Sequence, residues 1–248
     1  MTLSLILPIY NEIKNLQKGV LDKIINYAKN DKQIKEILVV DDGSSDESVK
    51  IIEAEYAGKY PKLRLIKKEH SGKAHTVIAG IKAAKSDYVL FSDIDLATPI
   101  EEIDKLVKCL PDYQVVIGSR SSRREGAPIF RKIMALGMIV VRSYFIGLKN
   151  IHDTQCGFKL FEKKAALRII DNLRVFKKAK KIKGSSVSAG FDLEFLYIAQ
   201  QLGYRIKEIP VVWRHVETKN VNFVKDSLES IRDILKIKWF TLLKRYDF

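Results

Sequence analysis

Short apolar runs alternate with stretches of helical period along the first half of the chain. LSLILP (3–8), EILVVD (36–41), LRLIK (63–67), YVLFSD (88–93) and QVVIGS (114–119) read as strands, with helices over 12–29, 45–57, 72–85 and 99–109 between them. Near-continuous apolar strands suit a sheet buried on both faces, so the alternation predicts an α/β domain with a mostly parallel central sheet and helices on both sides. Ser44-Ser45-Asp46-Glu47 and Pro99-Ile100-Glu101-Glu102 mark helix starts, and Asp46 reads as a cap or turn aspartate.

The second half is less regular. A basic loop over 120–132 leads to an apolar helix near 131–149, followed by DTQCGFKLF, a helix near 162–171 and a cationic run from Arg174 to Lys183. GSSVSAG (184–190) reads as a connection, 191–202 as a helix, RIKEIPVVW (205–213) as a strand and about 222–245 as an amphipathic helix. The expected organisation is one domain over 1–215, with the helix of 216–248 packed on it or on a membrane surface.

Composition narrows the class. The 248 residues suffice for a substantial core, and 46% hydrophobic with 30% charged residues is ordinary for a folded protein. A net charge of +14 favours an anionic partner: a phosphorylated metabolite, an acidic membrane or nucleic acid. Nucleic acid is the weakest of these, because the cationic run at 174–183 offers one aromatic, Phe176, where stacking needs several. Cys109 and Cys156 give no disulfide framework and suggest a reducing compartment. The N-terminus reads as a first strand rather than a signal peptide. The apolar run Ile133 to Val141 is bounded by Lys132 and Arg142, well short of the ~20 residues a membrane span needs. Location at the cytosolic face of a membrane, held peripherally through the 131–149 helix, is the expectation.

Chemistry concentrates at strand ends. Pro8-Ile9-Tyr10-Asn11-Glu12, Asp41-Asp42-Gly43-Ser44 and Ser92-Asp93-Ile94-Asp95 all follow strand-like runs, where open α/β sheets bind ligands. Asp93 and Asp95, two apart on an extended chain, would point the same way and address one cation. With no Cys or His beside them the donors are all oxygen, which favours Mg²⁺ or Mn²⁺. Gly72-Lys73 opens a helix but is weak as a phosphate motif alone, and the P-loop, nucleophile-elbow and H-E-x-x-H patterns do not occur.

LSLILPIYNE, LVVDDGSSDES, HSGKAHTVIAGI, YVLFSDIDLATP and VIGSR, in that order, resemble the motifs of inverting glycosyltransferase family 2, with its GT-A nucleotide-sugar fold. IHDTQCGFKLFEKKAA and GFDLEFLYIAQQLGYRIKEIPVVW resemble its dolichyl-phosphate glucosyltransferase branch. The resemblance implies that Pro8, Tyr10, Glu12 and Asp41, with Lys73 and Asp93, contact the nucleotide of a sugar-nucleotide donor, and that Asp93 and Asp95 hold the metal and the donor diphosphate. Where the mannose-synthase branch has a glutamine two residues after the second Asp, this chain has Ala97, as in the glucosyl branch. UDP-glucose and a dolichyl or other polyprenyl phosphate are the implied substrates. GDP-mannose, or a sugar hydroxyl as acceptor, is the alternative. Arg120, Arg131 and Lys159 are the candidate cations for the acceptor phosphate, against a reading as solvated surface charges. Asp192 stands where hydroxyl-using relatives keep a catalytic base, and acts either at the acceptor or as a cap.

Overall fold

The computed structural model of the chain describes residues 1–120, 146–148, 150–179, 189–214, 216 and 223–246. The elements run β1 (Leu3–Ile9), α1 (Ile13–Gln17), α2 (Val20–Asn30), β2 (Ile34–Asp41), α3 (Ser48–Glu55), β3 (Leu63–Lys67), α4 (Lys73–Ala83) and β4 (Tyr88–Ser92). A 3₁₀ turn (Ile100–Glu102), α5 (Ile103–Val107), β5 (Val115–Arg120), β6 (Phe158–Glu162), α6 (Lys163–Asn172), α7 (Ala189–Gln201), β7 (Ile206–Val211) and α8 (Phe223–Leu242) follow.

The described strands form one seven-stranded sheet in the order β3-β2-β1-β4-β6-β5-β7. All neighbouring pairs are parallel except those of β6, which runs antiparallel to both β4 and β5. Strand order reverses beside β1, because β2 lies on one side of it and β4 on the other. The crevice outside the carboxyl ends of β1 and β4 is therefore the topological switch point. The antiparallel β6 starts at the same edge, opposite Ser92, so the residues just before it face the switch point too.

Successive strand residues face opposite layers. Leu5, Leu7 and Ile9 of β1 pack with Leu21, Ile24 and Ile25 of α2 and with Ile103 and Leu106 of α5. Ile6 instead joins Leu38, Val40 and α4, in a layer continued by Ile169, Phe195, Ile234 and Ile237. Each such fully buried aliphatic side chain contributes about 1.5–3 kcal/mol relative to exposure.

Several boundaries depart from the sequence pattern. The helix expected over 12–29 is two, broken at Lys18-Gly19, where Gly19 takes φ +68°. The 99–109 helix opens as a 3₁₀ turn and ends at Val107. β6 was not expected at all. KLF reads as part of an irregular block, and only pairing on both sides makes it a strand. Most of the 131–149 helix and most of the 184–190 connection lie outside the described residues. The C-terminal helix is divided between layers: Ile234 and Ile237 are core, while its other face is exposed. None of the helices among the described residues is long and apolar enough to cross a membrane.

Candidate active site

The carboxyl end of β4 differs from the extended geometry that the Asp-x-Asp spacing suggests. The strand stops at Ser92 and the chain turns: the Leu96 N–H donates to the Asp93 carbonyl at 3.4 Å, and the Ala97 N–H to Asp95 Oδ1 at 3.0 Å. Leu96 sits at φ +49° to close this turn. Asp93 and Asp95, both half-buried, are thus brought together by a bend rather than by strand alternation. Burial, reinforced by the neighbouring Asp93 charge, holds the Asp95 carboxyl above its ordinary range.

Asp93 is seated from two sides. Its N–H donates to the Gly157 carbonyl at 3.1 Å, and Gly157 leaves room for its carboxylate: a Cβ there would lie 2.1 Å from Asp93 Oδ2. The Lys73 ammonium, at the start of α4, donates to Asp93 Oδ1. Burial lowers the Lys73 pKa, but Asp93 and Asp192, with Asp95, outweigh it and hold the ammonium above its ordinary value. One lysine therefore lies in the field of carboxylates from β4 and from α7.

The turns after β1 and β2 form the adjoining wall. The Asp41 carboxylate accepts the N–H groups of Gly43 at 3.1 Å and Ser44 at 3.2 Å. Asp42, which sequence reasoning passed over, is the more connected: its carboxylate meets the Lys68 ammonium, His70 Nδ1 at 2.8 Å and the N–H groups of Ser71 at 3.0 Å and Gly72 at 2.8 Å. Burial pushes the Asp42 carboxyl up, yet Lys68 and the Ser71 N–H outweigh it and hold it below its usual range. His70 in turn stacks on Tyr10, ring centroids 4.1 Å apart. Pro8 lies in β1 opposite Val40, and Glu12 accepts the Asn15 side chain at 2.6 Å. Asp46 is the turn aspartate its position suggested, accepting the N–H groups of Ile13 at 3.2 Å and Ser48 at 3.0 Å.

The opposite wall is built from buried ion pairs. Arg120, at the end of β5, makes a two-point pair with Asp153, Nε to Oδ2 at 2.7 Å and Nη2 to Oδ1 at 2.8 Å, and lies over the Trp213 ring. Lys159 is 1% exposed, so it is no solvated surface charge. Its ammonium donates to the Cys156 carbonyl at 2.6 Å and to Asp192 Oδ1 at 2.7 Å, with the Phe91 ring 5.1 Å away. Asp192 is accordingly an ion-pair partner rather than only a helix cap. Glu194, two residues on, is fully buried and accepts the N–H groups of Arg174, Val175 and Phe176 and the Tyr246 hydroxyl, tying the segment after α6 to the C-terminus. Arg131 lies outside the described residues. Asp153 and Gly157 were not singled out from sequence, although both stand in the DTQCGFK block with Lys159.

Among the described residues no three His, Cys, Asp or Glu side chains converge as a ligand set. The donors on offer are the Asp93 and Asp95 oxygens, one neutralised by an ammonium and the other desolvated beside it. Two hard oxygen donors that already draw a positive charge fit a Mg²⁺- or Mn²⁺-sized cation whose remaining positions go to phosphate and water.

The profile of Glycosyl transferase family 2 matches residues 4–170. The chain belongs to glycosyl transferase family 2. Among its curated relatives are dolichyl-phosphate beta-glucosyltransferases of Trichomonas vaginalis, 34% identical over 96% of this chain and 73% of the relative, and of Homo sapiens, 32% identical over 95% and 74%. Among solved structures, glucosyl-3-phosphoglycerate synthase from Mycobacterium tuberculosis, crystallised with Mn²⁺, uridine diphosphate and glucosyl-3-phosphoglycerate, superposes with a TM-score of 0.66 at 18% identity, covering 95% of this chain and 79% of that one. Mannosyl-3-phosphoglycerate synthase from Rubrobacter xylanophilus gives 0.64 at 14% identity, covering 100% and 76%. This glycosyltransferase thus has the GT-A fold, its acids gathered where that sheet changes direction.

Proposed function

We propose that this glycosyltransferase moves glucose, with inversion, from UDP-glucose to a dolichyl or other polyprenyl phosphate. The names of its curated relatives support the sugar and the acceptor. The observation that carries the reading is the ion pair between Asp192 and the buried Lys159. One Asp192 oxygen is already engaged by the Lys159 ammonium, and a phosphate acceptor asks for no general base. A phosphate monoester has its second pKa near ~6 and attacks as a dianion at neutral pH.

In this reading Pro8, Tyr10, Glu12 and Asp41 bound the nucleoside, and Asp93 and Asp95 would hold Mg²⁺ or Mn²⁺ with the donor diphosphate. The metal supplies Lewis-acid neutralisation of charge developing on the departing diphosphate. Lys73, paired with Asp93, would share the diphosphate charge with the metal. Arg120 uses two donors of its five on Asp153, which fixes the guanidinium plane and leaves donors for an incoming phosphate. Lys159 acts through Asp192, holding that carboxylate in orientation. The lipid-borne acceptor places the work at a membrane, with the cytosolic face as the expected side.

Radiolabelled UDP-glucose, GDP-mannose and UDP-N-acetylglucosamine, each offered with dolichyl phosphate and Mn²⁺ or Mg²⁺, test the reading. Label should enter the organic phase from UDP-glucose alone. Entry from GDP-mannose alone would transfer the proposal to the mannose-synthase reaction. An acidic limb in the pH–rate profile that disappears in Asp192→Asn would favour a sugar hydroxyl as acceptor.

A further inference from the structure

The two faces of α8 differ in kind. Ile234 and Ile237 are buried in the core, and the Thr241 hydroxyl meets that of Tyr197 at 3.0 Å. On another face Ile231, Leu235, Trp239 and Leu242 are 43%, 57%, 60% and 66% exposed. At about 100° per residue these four fall within an arc of about 80°. Arg232 and Lys236 border that arc on one side and Lys238 on the other, while Lys244 and Arg245 stand exposed beyond the last turn. Asp233 is the one acid between residues 231 and 246, and it turns away from the arc, toward α7. It meets Lys236 at 3.5 Å and packs on Gly190, where a Cβ would lie 2.4 Å from Asp233 Oδ2.

We infer that this exposed face of α8 docks on an anionic lipid bilayer. A narrow apolar stripe flanked by cations, on a helix too polar to span, suits the interfacial plane of a membrane. The cations complement acidic headgroups. The position adds a consequence. Because Asp233 touches Gly190, α8 crosses the start of α7 two residues before Asp192, so docking through Ile231 and Leu235 brings the Asp192–Lys159 end of the site to headgroup level. This deepens the acceptor reading and rests on it only for that consequence, since docking itself is measurable without acceptor.

The test is flotation of the full chain with phosphatidylcholine vesicles, with and without phosphatidylserine and with no polyprenyl phosphate. The chain should float with the phosphatidylserine vesicles and lose that association as salt screens it. L235E/W239E should weaken partitioning by about tenfold or more, while keeping the wild-type circular dichroism spectrum and the wild-type rate on a short, water-soluble prenyl phosphate. The chain has two tryptophans, so W213F leaves Trp239 as sole reporter. Its emission should shift to the blue on phosphatidylserine vesicles. Unchanged flotation of L235E/W239E, or an unmoved Trp239 emission, overturns the inference. So does a wild-type dimer in sedimentation that the double substitution dissolves, because a second copy would then cover the stripe. Failure of the acceptor reading is separate: no transfer to the soluble prenyl phosphate from any donor, with flotation intact.

Discussion

Asp41, on the proposed donor side of the cleft, accepts the main-chain N–H groups of Gly43 and Ser44, and Asp42 beside it joins such bonds to the Lys68 ammonium, whereas Asp153 and Asp192, on the proposed acceptor side, are held by the side chains of Arg120 and Lys159. Main-chain donors orient a carboxylate without adding a full positive charge. On the opposite wall Arg120 and Lys159 are each matched inside the protein, and under the proposed reading a phosphate entering there would meet cations whose positions are already set. Buried pairs of this kind are costly to break from one side, because the partner is left charged and dry. The acceptor wall should thus be a structural element as much as a binding one, while Asp41, Asp93 and Asp95 should be replaceable with the fold intact.

The largest expected effect tests the donor wall. D93A/D95A should lower glucosyl transfer by about 10³-fold or more, with thermal unfolding little changed. A double variant that retains turnover would break the comparison at its root. Next comes the acceptor wall: Lys159→Met should cost about 3–5 kcal/mol in urea unfolding, and K159M/D192N should be less destabilised than K159M alone. Asp41→Ala, by contrast, removes only main-chain hydrogen bonds and should cost about 1–2 kcal/mol. Equal losses at Lys159 and Asp41 would erase the distinction between the walls.

Gly157→Ala sharpens it further. The added Cβ meets the free end of the Asp93 side chain rather than backbone. That carboxylate should swing aside, lowering kcat/KM by about 10- to 100-fold, with a smaller change in stability than Lys159→Met.

The smallest effect is the pH dependence of the Arg120–Asp153 pair. Burial alone would raise the Asp153 carboxyl, but hydrogen bonds and charge from Arg120 outweigh it and leave it below its usual range. A folded value below the unfolded one means stabilisation that is complete above about pH 4 and is lost as pH falls through the folded value. Acid titration of unfolding should show this limb, and Arg120→Gln should flatten it. Glu194 has the opposite sign. Burial raises its carboxyl even against its four hydrogen bonds, so its contribution becomes more favourable as pH falls through the raised value.

The donor wall was largely legible in the amino-acid order. Its strands are continuous apolar runs, and its acids follow them directly. Asp46 takes the turn hydrogen bond its context indicates, from Ser48 two residues on, whereas its bond from Ile13 spans 33 residues and has no local signal. The Asp93–Asp95 bend was legible in composition but not in shape, since a positive φ at Leu96 has no sequence signal of its own. The acceptor wall was legible only as motif blocks. Arg120 pairs with Asp153 and Lys159 with Asp192, each across 33 residues, and no local pattern couples positions so far apart. Lys159 stood out as a candidate acceptor cation, but its burial showed only once β6 formed between β4 and β5 and enclosed it. Asp42 was missed beside Asp41 because two adjacent strand-end acids look alike, and the loop around His70 decides which of them becomes the hub.

Local periodicity and turn chemistry determined, from sequence alone, that β1, β2 and β4 exist, that they are parallel and that acids stand at their carboxyl ends. Those features depend on interactions within a few residues and on which faces must leave water. Only the tertiary structure decided which charges meet. Pairing partners, the burial of Lys159, the room that Gly157 leaves for Asp93 and the exposed stripe on α8 all arise where distant segments pack. Electrostatic and steric terms act through space, and chain order does not record that distance.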